Sequence, residues 1–239
     1  MGLPVPVTKQ GAVVLTMWQG SWIAAWAVGI VVWGGILWAI IFHRKRANQQ
    51  LPQQVRYNLP IEILYTVLPF IMVGVLFYFT ARDENYIDKI PARPQVIVNV
   101  TGFQWSWEFQ YPQYHVTGDG AQRMVTETGD MWNPTAAVQH LPLLEIPENE
   151  TVKFNLTSID VIHAFWVVPF EFKRDVIPGY ANHFAITADK TGSFIGRCTE
   201  LCGVYHSRML FKIKIVPPAK FRAWIAGQQA LQSSSGGVQ

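Results

Sequence analysis

Apolar side chains crowd into two unbroken runs near the start of the chain and then give way to short alternating stretches. The first run, Trp18 to Phe42, carries no charge. It exceeds the roughly 20 residues a helix needs to cross a bilayer, and tryptophans at both ends suit the interfacial belt. The second run, Ile61 to Thr80, carries one acid, Glu62, near its start and Pro69 inside. A proline is tolerated in a membrane helix, where neighbours satisfy the freed carbonyl. The pattern predicts a two-span hairpin within residues 1–94, with spans at about 18–42 and 61–80. The first run is too long and wrongly flanked for a cleaved leader.

From Gln95 the period changes to two. Between Gln95 and Tyr114, Phe103, Trp105, Trp107, Phe109 and Tyr111 alternate with Gln104, Ser106, Glu108 and Gln110. That reads as one long strand with a single aromatic face. Six more short runs follow: HLPLLEIP, TVKFNLTS, AFWVVPF, ANHFAITA, GSFIGRC and MLFKIKIVP. They are β-branched or aromatic and are punctuated by Pro, Gly and Asn. An antiparallel β-sandwich or barrel is therefore expected over residues 95–217. Residues 115–140 are rich in Gly, Thr and polar side chains and read as an insertion into the sheet. After Pro218 a short helix and a flexible tail are expected through residue 239. The predicted class is a membrane-anchored all-β protein.

Charge fixes a topology for this plan. The segment between the apolar runs holds Arg44, Lys45, Arg46 and Arg56 and no acid. The positive-inside rule places it in the cytoplasm, so both termini and everything after residue 80 lie outside. The whole chain is formally +3, whereas residues 95–217 hold twelve acids and nine bases. An acidic external domain suits a basic partner. No Ser-His-Asp arrangement, phosphate-binding loop or nucleic-acid patch is present.

The chain has only two cysteines, Cys198 and Cys202, with His206 and Met209 close behind them. Three readings are open. A disulfide fits an exported domain, but so short a bridge removes little unfolded-state entropy and leaves His206 and Met209 without a purpose. Zinc accepts two Cys and two His, but the paired knuckle spacing is missing and zinc has no need of Met209. Thiolate, imidazole and thioether together favour copper. A cupredoxin-type site takes such donors from one loop between two strands and a further histidine from an earlier strand; here that histidine is His163. A second thiolate allows two bridged metal ions.

The sequence CTELCGVYHSRM, residues 198–209, resembles the copper A signature of cytochrome c oxidase subunit II, the electron-accepting subunit of aa3-type haem–copper oxidases. The likeness extends to the two spans, to GFQWSWEF, to DVIHAFWVVP and to DVIPG. It implies a cupredoxin-like domain and a dinuclear copper A centre. Cys198 and Cys202 would be the bridging thiolates, His163 and His206 would each bind one copper, and Met209 and the Glu200 carbonyl would be weak ligands. The Glu200 side chain would reach a magnesium at the boundary with subunit I. Trp105 matches the place where the electron from cytochrome c enters, and Glu62 matches the mouth of a proton pathway. The residue-level alternatives are a passive interfacial acid for Glu62 and a docking or turn role for Asp160. His43 reads as part of the basic cluster, and His115, His140 and His183 as surface residues.

The 115–140 stretch is similar to insertions in actinobacterial members, whose oxidase docks to a membrane-bound cytochrome c. The implied partners are thus subunits I and III and a cytochrome c, soluble or tethered in a supercomplex with a cytochrome bc complex. The implied location is a bacterial plasma membrane rather than the inner mitochondrial membrane. A quinol oxidase subunit lacks these metal donors; a nitrous oxide or nitric oxide reductase can carry a similar copper loop, but the first is usually a larger soluble enzyme, which the two spans disfavour; and a purely structural membrane protein predicts no metal.

Overall fold

The computed structural model describes residues 2–45, 54–116, 123–128 and 141–235. The chain forms two compact units: Thr16–Asn85, and Gly2–Leu15 together with Tyr86–Gln239.

The first unit takes in most of two helices, the start of the first belonging to the second unit. Helix α1 (Lys9–Phe42) and helix α2 (Leu59–Ile87) are both long and apolar enough to span a membrane. Both are apolar all round, as expected of helices surrounded by lipid or other helices rather than lying on a soluble core. Each begins with a cap that composition alone understates. Thr8 Oγ1 accepts from the Gly11 N–H at 2.9 Å, so α1 starts nine residues before Trp18. Asn58 caps α2, and Glu62 Oε1 accepts from the Asn58 N–H at 3.0 Å. That reciprocal bond is a capping box displaced by one residue, which gives Glu62 a structural duty.

The second unit is a β-sandwich. Its strands are β1 (Val96–Phe103), β2 (Ser106–Val116), β3 (Arg123–Thr128), β4 (Leu143–Pro147), β5 (Thr151–Ser158), β6 (His163–Val167), β7 (Lys173–Val176), β8 (Asn182–Thr187), β9 (Gly192–Cys198) and β10 (Leu210–Val216). One sheet has the order β3-β2-β1-β5-β8 and the other β4-β10-β9-β6-β7. All six of the later runs expected from the sequence carry strands. The sandwich is not wholly antiparallel, because β1 pairs β5 and β10 pairs β4 in parallel. The chain crosses between sheets from β4 to β5, and strands reached by crossover can run the same way.

The aromatic stretch departs from expectation. It is a hairpin, with Gln104 and Trp105 as the turn and Phe103 paired with Ser106. No glycine or asparagine marks this turn, and the uninterrupted alternation hid it. Directly paired residues share a face, so the turn puts Phe103 with Ser106 and sends Trp107, Phe109 and Tyr111 inward with Val96, Val98 and Val100. Phe103 is buried but stands apart from the main core.

That core joins both sheets. Trp107 meets Phe165 and Phe211 edge to face, Phe165 stacks on Phe211 with centroids 4.9 Å apart, and Phe154 stacks on Phe184 at 4.7 Å. The Tyr111 hydroxyl donates to the Glu145 carbonyl at 2.9 Å and accepts from the Glu145 N–H at 3.0 Å, tying the sheets together. Residues near the amino terminus are sewn to the same body: Val7 bonds Pro169 and Asp189, and Thr8 bridges Ala188.

Helix α3 (Pro218–Ser235) is five turns long, more than the short helix expected. It buries Phe221 and Ile225 and sets Trp224 against Tyr111. The Gln232 amide accepts from the Thr126 N–H and donates to the Thr126 carbonyl, at 3.3 and 2.8 Å. It thereby pairs the outer edge of β3 as another strand would. Within the 115–140 stretch, β3 adds to β2 across an irregular register near Tyr111. The remainder of that stretch, His140 included, and the tail from 236 lie outside the described residues.

One glycine decides whether β9 reaches the site in register. A Cβ on Gly196 would lie 2.0 Å from Phe211 Cζ, and that ring is fully buried. Gly196→Ala should cost about 1–3 kcal/mol through overpacking, measurable as a lower denaturant midpoint with an unchanged m-value.

Candidate metal centre

One end of the second sheet brings the sulfur and nitrogen donors together. His163 is the first residue of β6 and is fully buried. Cys198 is the last residue of β9. The loop that follows carries Cys202, turns through a 3-10 segment at His206–Arg208, and delivers Met209 just before β10. Its two ends are locked together by the bond from the Cys198 N–H to the Met209 carbonyl at 3.0 Å. Thr199 N–H donates to the Ala164 carbonyl, fixing the loop to β6 as well. Such locks matter because a loop of free conformation could not hold several donors at one point.

The distances define the cluster. Cys198 Sγ and Cys202 Sγ are 3.8 Å apart. Both thiols are free, and the gap is far above the roughly 2.05 Å of a disulfide. Cys198 Sγ is 3.8 Å from His163 Nδ1 and 3.2 Å from the Glu200 carbonyl oxygen. Cys202 Sγ is 3.5 Å from His206 Nδ1 and 3.8 Å from Met209 Sδ. Each sulfur therefore touches one imidazole and one weak donor. Two sulfurs, each about 2.3 Å from a shared ion, would stand about 3.8 Å apart in tetrahedral geometry. The donors fit a soft metal, and the donor set suits copper.

Burial and hydrogen bonds shape the protonation of the metal-free cluster. Burial works against the charged imidazole of His163, but bonds to Cys198 and Asp160 outweigh it and raise its pKa. Burial also pushes the Cys198 thiol upward, yet bonds from His163 and from nearby backbone bring it below the usual thiol value. Cys202 is pushed up to about 12, first by burial and then by the Cys198 thiolate beside it. A metal must displace these protons, so binding is coupled to pH.

A second layer surrounds the donors. Asp160 Oδ1 lies 2.8 Å from His163 Nε2, the ring nitrogen that faces away from the sulfur. This is the usual way a carboxylate fixes the orientation of a metal-binding imidazole. Trp105 is half-buried; its indole N–H donates to the Cys202 carbonyl at 3.2 Å, and its ring meets Tyr205 edge to face at 5.0 Å. Gly203, with φ +127, lies directly beneath, and a Cβ there would come within 3.0 Å of the indole nitrogen. The Glu200 carboxylate is exposed. His115 and His183 are exposed, in keeping with the surface reading, and His43 packs on Trp38.

The residues singled out from the sequence thus fall into two groups. His163, Cys198, Glu200 through its carbonyl, Cys202, His206 and Met209 converge, with Trp105 against them. Glu62 belongs to the hairpin unit and caps α2. Sequence reasoning missed Gln104, whose polar side chain sat in an alternating stretch and looked like an outward strand position.

The fold and the cluster together define a class: a membrane-anchored, cupredoxin-like domain built to hold soft metal ions. Comparison narrows it. Residues 96–216 match the family described as cytochrome C oxidase subunit II, periplasmic domain. A probable cytochrome c oxidase subunit 2 of Streptomyces avermitilis is 47% identical, covering 93% of this chain and 77% of the relative. Its counterpart in Streptomyces coelicolor is 46% identical over 92% of this chain and 76% of its own. The cytochrome c oxidase subunit 2 of Mycobacterium tuberculosis is 35% identical over 94% and 74%. The crystal structure of the periplasmic domain of subunit II from Bradyrhizobium japonicum is 30% identical, covers 59% of this chain and 98% of that one, and superposes with a TM-score of 0.48. This chain belongs to the cytochrome c oxidase subunit II family, as a membrane-anchored subunit of the oxidase complex. Subunits of this family bind copper A.

The two thiols should titrate far apart. Thiolate absorbance of the reduced, metal-free chain should show one ionisation below the ordinary value of 9.0 and a second near 12. Cys202→Ser should abolish the upper step and leave the lower; two steps at ordinary thiol values would show that the sulfurs do not interact.

Proposed function

We propose that this chain is the electron-accepting subunit of an aa3-type cytochrome c oxidase. It takes electrons from a cytochrome c at a dinuclear copper A centre and passes them to haem in subunit I, where oxygen is reduced to water and protons are pumped. The observation that carries this reading is the pair of thiols 3.8 Å apart, each touching its own imidazole. When bound, the dinuclear copper centre supplies a one-electron acceptor that breaks no substrate bond.

The residues around it supply rigidity. Cys198, Cys202, His163 and His206 would hold the copper through two sulfurs and two ring nitrogens, with Met209 and the Glu200 carbonyl as weaker donors. Four of these six residues are buried: His163, Cys198, Cys202 and Met209. Burial excludes water and limits rearrangement when charge changes. Trp105 receives the electron, a role supported by its bond to the Cys202 carbonyl. The Glu200 carboxylate, exposed beside the cluster, takes a magnesium ion at the boundary with subunit I. Glu62 stands at the mouth of a proton pathway in addition to capping α2.

In this reading residues 1–94 anchor the subunit, 95–217 carry the metal centre and 218–239 follow it. The basic segment after the first span faces the cytoplasm of a bacterium, and both termini and the metal domain face outward. The assembly includes subunits I and III and a cytochrome c, soluble or tethered beside a cytochrome bc complex. The likeness to subunits from Streptomyces and Mycobacterium supports the actinobacterial form of this arrangement.

Copper analysis and EPR spectroscopy of the full chain provide the test. Copper shared as a mixed-valence pair is expected in the wild type. Cys202→Ser should cost more than the roughly 10–100-fold in metal affinity that follows loss of a supporting residue, and should remove the pair signal; an unchanged spectrum would sink the assignment. Trp105→Phe should slow electron transfer from cytochrome c with copper retained. Glu62→Gln should slow proton uptake by the assembled oxidase with the copper spectrum intact; full turnover would leave Glu62 with its capping role alone.

A further inference from the structure

The turn between β1 and β2 does more than reverse the chain. The Gln104 side-chain amide donates to the Cys202 carbonyl at 2.7 Å, shorter than the bond from Trp105 to the same oxygen at 3.2 Å. The Gln104 backbone N–H donates to Asp160 Oδ2 at 2.7 Å. The other oxygen of that carboxylate, Oδ1, is the one that meets His163. Asp160 is held in turn by the Val161 N–H at 2.6 Å and by Ser158. Gly203 is the residue that lets the turn approach, since a Cβ there would stand 3.2 Å from Gln104 Nε2 and closer still to the indole.

One residue is thus bonded to supports on both sides of the cluster. Its side chain holds the peptide of one cysteine, and its backbone holds the carboxylate that orients a histidine. These two supports are far apart in sequence, at residues 202 and 160, and Gln104 is the link between them. We propose that Gln104 is a positioning residue of the metal centre, fixing the Cys202 peptide and the Asp160–His163 pair relative to each other and so setting the potential of the bound metal. This rests on the copper reading above and concerns a residue that the reading does not use.

The physical argument has two parts. A carbonyl with two N–H donors is polarised, which draws electron density from the adjoining Cys202 and favours the reduced centre; outer-shell hydrogen bonds tune metal sites in this way. The two bonds also remove freedom from a loop segment whose Leu201 and Val204 are exposed and add little packing. Removing the side-chain donor leaves the backbone bond to Asp160 in place, so the turn itself survives. A glutamine that served only to shape the turn would therefore be replaceable without effect on the metal.

The test uses the full chain loaded with copper. Gln104→Met keeps the length of the side chain and loses the donor. It should retain the wild-type copper content and melting temperature, alter the hyperfine pattern of the EPR spectrum, and lower the potential enough to shift the redox equilibrium with a reference couple about threefold or more. Trp105→Phe, which removes the other donor to the same oxygen, should move the potential in the same direction. The double variant should deviate from additivity, as expected for two residues sharing one partner. If Gln104→Met does not fold, Gln104→Asn, whose amide is one methylene short of the carbonyl, reads the same quantities. A fully loaded variant with wild-type potential and spectrum overturns the proposal. A wild-type chain without the mixed-valence signal overturns the copper reading itself.

Discussion

The separation of the two thiols is the constraint on which the rest of the domain depends. At 3.8 Å they neither form a disulfide nor drift apart. Two unrestrained thiols on one short loop would close on each other under oxidising conditions. Here the loop is held at both ends, by the Cys198–Met209 backbone bond and by Thr199 on β6. It is held in the middle by the Gln104–Trp105 turn. The aromatic core stands directly behind: Trp107 donates its indole N–H to the Met209 carbonyl and packs near His163. Core and site are one structure, so a change in packing reaches the metal donors within a residue or two.

Much of this could be read from the chain before any coordinates. The two spans announced themselves by length and lack of charge, and the six later strands by β-branched and aromatic runs between turn residues. The cluster was legible as a candidate site because two cysteines, a histidine and a methionine fall within twelve residues, though the residues alone left disulfide, zinc and copper open. What could not be read was set by tertiary context. The Gln104–Trp105 turn has none of the residues that usually mark a hairpin, so a continuous alternation looked like one strand. Short β7, with Val176 as its one buried residue, was missed because Lys173, Arg174 and Asp175 do not resemble strand residues. Its place comes from pairing with β6, where Phe165 faces Arg174.

The starts and ends of helices were also obscure. Periodicity locates where a helix is buried or lipid-facing, whereas its first residue is decided by a cap. Thr8 and Asn58 are ordinary polar residues until the backbone N–H groups they satisfy are seen. Glu62 shows why a motif match does not exhaust a residue: its Oε1 closes the first turn of α2 whatever else it does.

Helix α3 bears on where a fragment of this protein can be cut. The alternating pattern stops near Val216, and a soluble piece ending there would look complete on paper. It would lack Phe221, Ile225 and Trp224, leaving Tyr111 with one flank bare, and it would free the backbone of Thr126 that Gln232 now occupies. A cut before residue 86 removes Val7 and Thr8 from their places beside Ala188 and Asp189 as well. The smallest self-contained piece is thus discontinuous in sequence: it joins Gly2–Leu15 to the residues from Tyr86 onward and leaves out the apolar stretch between them.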